Sequence, residues 1–116
     1  GAVLDLAAVP LLPGVAQLAA GGVRSTLAPA NRAAQVEIEA SQPWQQHPAW
    51  HALFDPQTSG GLLLGVAADS AERLVEVLHA RGYQRAAVIA EVAHTSGAGR
   101  IALLPEADAK PNAGGH

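Results

Sequence analysis

The run from Gly61 to Val92 constrains the fold of this chain most tightly. Gly61 to Ala67 is apolar and free of charge, as a buried strand would be. Asp69 stands three residues before Glu72, the spacing of a capping box. Ala71, Leu74, Val75 and Leu78 fall at i, i+3, i+4 and i+7, which gives a helix over 70–81 one apolar face. Gly82 ends that helix, and Ala86 to Val92 reads as a second strand. Strand, crossover helix and strand in this order predict an α/β (α+β) sandwich, a mixed sheet with helices on one face.

The remaining segments fit around that unit. Ala2 to Leu6 is a strand candidate. Pro10 and Pro13 precede a helix over about Gly14 to Ala20, which Gly21-Gly22 stops. Val23 to Arg32 reads as a polar loop. Val36 to Ala40 alternates apolar and acidic residues like a short half-exposed strand. Pro43 to Leu53 is expected to be one short helix, with Pro48 near its first turn. Thr95 to Gly99 is a turn, from which Arg100 to Leu104 returns as a hairpin strand. Residues 1–104 form a single domain on this reading, and 105–116 a polar tail expected to be disordered. No internal repeat is visible.

Composition bounds the size of the core. The chain has 116 residues, 49% of them hydrophobic, so it is globular and of one-domain length. Alanine is the commonest residue, and the aromatics are limited to Trp44, Trp50, Phe54 and Tyr83. Small side chains bury little area each, so the core is expected to be thin and to pack against something larger. In so aromatic-poor a chain, Trp44 and Trp50 read as core anchors rather than stacking platforms for a base. A net charge of -3 provides no electrostatic footprint for nucleic acid or an anionic membrane. No apolar run approaches membrane-span length, and no signal-peptide pattern is present. Cysteine is absent, which removes thiol catalysis, disulfides and thiolate metal sites from this chain and fits a cytoplasmic location. Methionine is absent too, and the chain opens Gly1-Ala2-Val3, so an excised piece of a longer protein is expected.

Chemistry concentrates in two segments. Asp55-Pro56-Gln57-Thr58-Ser59-Gly60-Gly61 puts an acid, an amide, two hydroxyls and two glycines into one turn. Such a turn can raise hydroxyls and backbone N–H groups toward an anion. Gly60 and Gly61 would permit positive φ and close backbone approach. Asp55, Thr58 and Ser59 could equally serve only to build a tight turn into a core strand. Arg24, Ser25, Thr26, Asn31 and Arg32 form a basic, hydroxyl-rich cluster, and the arginine fork suits phosphate. By spacing alone the cluster reads more readily as a solvated loop with capping residues. His47 and His51 have the i, i+4 spacing of a zinc pair, but only Asp55 is near as a third ligand, so capping or surface roles are expected and no metal site is assigned. Asp5, Glu37, Glu39 and Glu91 lie on expected strands with nothing to pair them. There is no P-loop, dinucleotide glycine fingerprint or nucleophile elbow.

The wording of these segments resembles one family, the selenophosphate synthetases (selenide, water dikinases), in their C-terminal domain. Asp55 through Leu64 matches the family's most specific motif. Gly22-Val23-Arg24-Ser25-Thr26-Leu27 with Asn31-Arg32 is similar to its Gly-x-Arg-Ser-Thr loop, Leu11-Leu12-Pro13-Gly14 to the start of one of its helices, and Gly82-Tyr83 to Val92 to its terminal strand, with Ile89-Ala90-Glu91-Val92 where an Ile-Gly-Glu-Val type sequence is usual. The resemblance implies the aminoimidazole-ribonucleotide-synthetase C-terminal fold. It implies an enzyme that makes selenophosphate from selenide and ATP, releasing AMP and phosphate, with magnesium, as a homodimer. The family's metal-binding carboxylates, catalytic lysine and reactive cysteine or selenocysteine belong to an N-terminal ATP-binding domain that this chain does not contain, and the Asp-x-Thr-Gly-Phe-Gly type segment that opens the C-terminal domain is missing. No catalytic residue is therefore expected here, and no ATP or magnesium of its own. The chain is expected to supply part of an interdomain wall through Asp55, Gln57, Thr58, Ser59, Gly60 and Gly61, with Arg24, Ser25, Thr26, Asn31 and Arg32 as phosphate contacts. The alternatives are a non-catalytic module for small-anion binding or dimerisation, or a domain of a related ATP-dependent kinase.

Overall fold

The computed structural model describes residues 1–39, 42–93 and 99–104. Strand β1 (Ala2–Leu4) is an inner member of a four-stranded mixed sheet in the order β2-β4-β1-β3, with β2 at Ile38–Glu39, β3 at Ala90–Val92 and β4 at Ile101–Leu103. β3 runs antiparallel to β1, β4 parallel to it, and β2 parallel to β4. Leu4 stands in register with Leu103, and both are buried. The sheet is mixed, as the sequence predicts.

The hairpin expected from Arg100 to Leu104 does not form, because β1 lies between β3 and β4. Asp5 N–H donates to the Ile89 carbonyl at 2.9 Å on one side, and Leu104 N–H donates to the Leu4 carbonyl at 3.0 Å on the other. A strand held on both edges pairs both of its rows of backbone groups, which a terminal hairpin would leave half unpaired. Of the intervening turn, residues 95–98 lie outside the described residues, as does the 105–116 tail.

The helices follow their prolines and glycines. α1 (Val15–Ala20) begins after Gly14, which adopts a φ of 91°, and is capped by Gly21. The loop expected over Val23 to Arg32 instead contains α2 (Ala28–Asn31), with Pro29 in its first turn, where a missing N–H costs nothing. A 3-10 turn at Arg32–Glu37 then shortens the expected strand at 36–40 to β2. The single helix expected over 43–53 breaks in two. A 3-10 turn spans Gln42–Gln46, and α3 spans Pro48–Ala52. Pro48 cannot donate a backbone hydrogen bond, so it opens a helix rather than continuing one.

α3 carries the centre of the core. Ala49 and Trp50 are buried on it, and with Phe54 and Trp44 they join Leu4, Leu6 and Leu103 in one cluster. Trp50 meets Phe54 edge-on, with ring centroids 5.0 Å apart, a favoured aromatic geometry. Both tryptophans are core anchors, and burying each large side chain contributes roughly 1.5–3 kcal/mol.

The unit expected over 61–92 forms only in part. α4 (Ala71–Ala80) is a helix, but the segment 61–67 is not a strand, and the second strand contracts to β3. Leu62 is 90% exposed and Leu63 81%. An apolar run becomes a strand only where another strand offers a ladder, and among the described residues none lies alongside this one. The capping box is absent as well. A 3-10 turn at Ala68–Ser70 makes Ser70 the N-cap, so Glu72 falls at the second helical position and Asp69 accepts from the Ser70 hydroxyl at 3.0 Å instead.

Candidate functional site

Three segments meet around the end of α3. The turn 55–61 follows its C-terminus, the loop 21–27 leaves α1, and Asn31 of α2 reaches the residue before the turn. α1 packs against α3, which brings the two expected site segments to a common groove. Arg24, Ser25, His51 and the whole turn from Asp55 to Gly61 line this groove. Leu18, Leu62 and the α4 residues Leu74 and Leu78 form its apolar flank.

Within the turn, Gln57 Nε2 donates to Asp55 Oδ2 at 2.8 Å, so the acid braces the turn. Thr58 and Ser59 are exposed. Among the described residues neither hydroxyl has a protein partner, which leaves both able to donate to a ligand. Gly60 and Gly61 do not adopt positive φ, contrary to expectation, and no backbone crowds them. The turn therefore does not require glycine for conformation at either position.

The basic cluster divides. Arg24 Nη1 donates to the carbonyls of Ala19 and Val23, both at 2.8 Å, and so satisfies the end of α1 while lining the groove. Ser25 Oγ accepts from Leu27 N–H at 3.2 Å, a hydroxyl turn ahead of α2. Thr26, Asn31 and Arg32 do not line the groove. Asn31 Nδ2 donates to the Phe54 carbonyl at 3.0 Å and anchors the start of the turn from behind. Arg32 Nη2 donates to His51 Nδ1 at 2.8 Å, and its guanidinium carbon lies 5.9 Å from the Phe54 ring centroid.

His51 is the residue whose part the sequence reading missed. Burial first, then the charges of Arg24 and Arg32, hold it below the ordinary histidine value. Its neutral form is also the one that can accept from Arg32. The available signal was its place one helical turn before Asp55. His47, its i, i+4 partner, caps α3 by accepting from Ala49 N–H at 3.1 Å. Among the described residues no group of three His, Cys, Asp or Glu is placed to hold a metal ion, and no helix is long and apolar enough to cross a membrane.

A mixed sheet backed by helices, with this turn at the groove, defines the class. The chain belongs to the family described as AIR synthase related protein, C-terminal domain, whose model matches residues 2–102. Its relatives are more particular. It is 35% identical over 99 residues to the selenide, water dikinase of Paraburkholderia xenovorans, a match covering 83% of this chain and 27% of that protein. It is 37% identical over 89 residues to that of Pseudomonas straminea, covering 74% of this chain and 24% of the relative. Over 40 residues it is 62% identical to that of Pelobacter propionicus, covering 34% of this chain and 12% of the relative. The chain thus spans about a quarter or less of the length of these relatives. No solved structure matches it significantly.

Proposed function

We propose that this chain is part of a selenophosphate synthetase, an enzyme making selenophosphate from selenide and ATP with release of AMP and phosphate, and that it supplies one wall of the active-site cleft. The observation that supports the reading is that the whole Asp55–Gly61 turn and Arg24 are among the residues lining one broad groove. Thr58 and Ser59 donate to the phosphate-bearing ligand or intermediate, assisted by the N–H groups around Gly60 and Gly61. Gln57 holds Asp55, whose charge would repel phosphate, in the role of a brace. Ser25 and Thr26 shape the arginine loop, and Asn31 and Arg32 support the site from behind. Phosphoryl transfer depends mainly on positioning and charge stabilisation, which is what a wall of fixed donors provides. ATP and magnesium are held by the N-terminal domain of the whole enzyme, a cytoplasmic homodimer in this reading.

The test uses the full-length enzyme carrying Thr58→Ala and Ser59→Ala together. AMP formation should fall at least tenfold, the scale of one lost charge-assisted donor pair, with Tm unchanged. A fall in Tm with AMP formation intact would make the turn a structural element and end the assignment.

A further inference from the structure

The end of α2 is tied to the end of α3 by side chains. α3 packs against α1 and against the 3-10 turns Leu6–Ala8 and Gln42–Gln46, and not broadly against α2. Two consecutive residues make the link instead. Asn31 Nδ2 donates to the Phe54 carbonyl at 3.0 Å. Arg32 Nη2 donates to His51 Nδ1 at 2.8 Å, and its guanidinium carbon stands 5.9 Å from the Phe54 ring centroid. The backbone of this joint is held less tightly. Phe54 N–H donates to the His51 carbonyl at 3.3 Å and Asp55 N–H to the Ala52 carbonyl at 3.2 Å, at the long limit of such bonds. The turn 55–61 thus departs from a joint whose shorter bonds come from Asn31 and Arg32.

One of those bonds can be switched. Arginine only donates, so His51 Nδ1 accepts from Arg32 as a neutral ring with its proton on Nε2. Protonation places an N–H on Nδ1 as well, which removes the acceptor and sets two cations against each other. The Asn31–Phe54 bond contains no titratable group. Burial, then the charges of Arg24 and Arg32, hold His51 below the ordinary histidine value, so the accepting form prevails at neutral pH. α1, α2 and the two 3-10 turns against α3 contain no charged or titratable residue. Arg24, in the loop after α1, donates to the carbonyls of Ala19 and Val23. Asp5 accepts from Ala7 N–H, His47 from Ala49 N–H and Asp55 from Gln57. Glu37 ends the 3-10 turn that Arg32 begins.

We propose that Arg32 and His51 form a pH-sensitive latch that sets the position of the 55–61 turn, with Arg32 as the positioning residue. While His51 is neutral, the latch docks Asn31 against Phe54 and fixes the direction in which the turn leaves α3. Protonation of His51 releases Arg32, the Asn31–Phe54 bond weakens, and the turn gains freedom at the groove. The latch is closed at neutral pH and opens as pH falls through the His51 value. The inference rests on the phosphate-facing reading above only for what the released turn then fails to hold.

Nitrogen NMR of the 116-residue chain tests the latch, followed from about pH 7.5 down through the His51 titration. At neutral pH His51 should carry its proton on Nε2. As it titrates, the Asn31 side-chain amide signal should move with the same midpoint. Protection of the Asp55 N–H, corrected for the intrinsic pH dependence of exchange, should fall about tenfold, the scale of one charge-assisted bond. His51→Gln keeps an acceptor that does not titrate and should hold both readouts flat. Arg32→Leu should show the open values already at neutral pH, and Arg32→Lys, which keeps a charged donor, should restore the closed ones. Readouts that stay constant through the His51 titration, that follow His47 or the carboxylates instead, or that are unaltered in Arg32→Leu would overturn the proposal. So would a His51→Gln chain that keeps the pH response. These outcomes are independent of the Thr58 and Ser59 test. A latch that opens while activity is indifferent to the hydroxyls would refute the turn's part in binding and keep the latch; the converse would refute the latch and keep the turn.

Discussion

Asn31 and Phe54 are 23 residues apart in sequence, yet the Asn31 side-chain amide donates to the Phe54 carbonyl at 3.0 Å. This bond joins the loop carrying the arginines to the residue before Asp55. It is the most direct physical link between the two segments that the sequence marks for chemistry. Asn31→Ala leaves the carbonyl of a core residue without that donor. We expect a loss of about 1–2 kcal/mol in urea unfolding and faster amide exchange at 55–61. Unchanged exchange there would show that the turn is held by other contacts.

Trp50 is 2% exposed at the centre of the cluster. Trp50→Ala should cost about 3–5 kcal/mol, a large part of the roughly 5–15 kcal/mol available to a domain. Exposed Tyr83→Ala should cost under about 0.5 kcal/mol. The two unfolding curves check this together, since equal losses would mean that α3 is not the core helix.

His51 makes stability depend on pH. Its folded value lies below the unfolded one, so the unfolded chain takes up the proton first as pH falls. This contribution is fully present above the unfolded value of about 6.5 and declines as pH drops from there through the folded value. Melting temperatures from pH 7.5 to 5 should therefore fall more steeply for the unaltered chain than for His51→Gln. Parallel slopes would exclude His51 as a source.

Leu62 and Leu63 form an uncharged, unpaired and exposed apolar run. Such runs favour strand pairing between molecules. The 116-residue chain should associate with rising concentration in light scattering. Leu62→Lys with Leu63→Lys should reduce association while leaving Tm within about 1–2 °C, because neither side chain is buried in the chain itself.

Incubated with ATP, magnesium and selenide, the isolated chain should form no AMP beyond a buffer control. It spans 24% and 27% of two of the selenide, water dikinases it resembles. Turnover above the control would place phosphoryl-transfer machinery within these residues.

Much of this protein is set by residues acting locally. The prolines at 29 and 48 sit in the first turn of a helix, where proline is tolerated, Gly21 ends α1, and the 3.6-residue spacing of Leu74, Val75 and Leu78 gives α4 one apolar face. The scarcity of aromatics marked Trp44 and Trp50 as core, because few other side chains could fill it. The wording of the Asp55–Leu64 turn was enough to point to the family. What the tertiary structure decided is everything that needs a partner. Gly61 to Ala67 has the composition of a strand, but a strand exists only beside another, and among the described residues none pairs with it. β1 took the place between β3 and β4, so the expected hairpin gave way to a mixed sheet with both edges of β1 paired. Arg32 reached His51 rather than the groove because α1, α2 and α3 pack as they do, and no spacing along the chain encodes a contact between residues 19 positions apart.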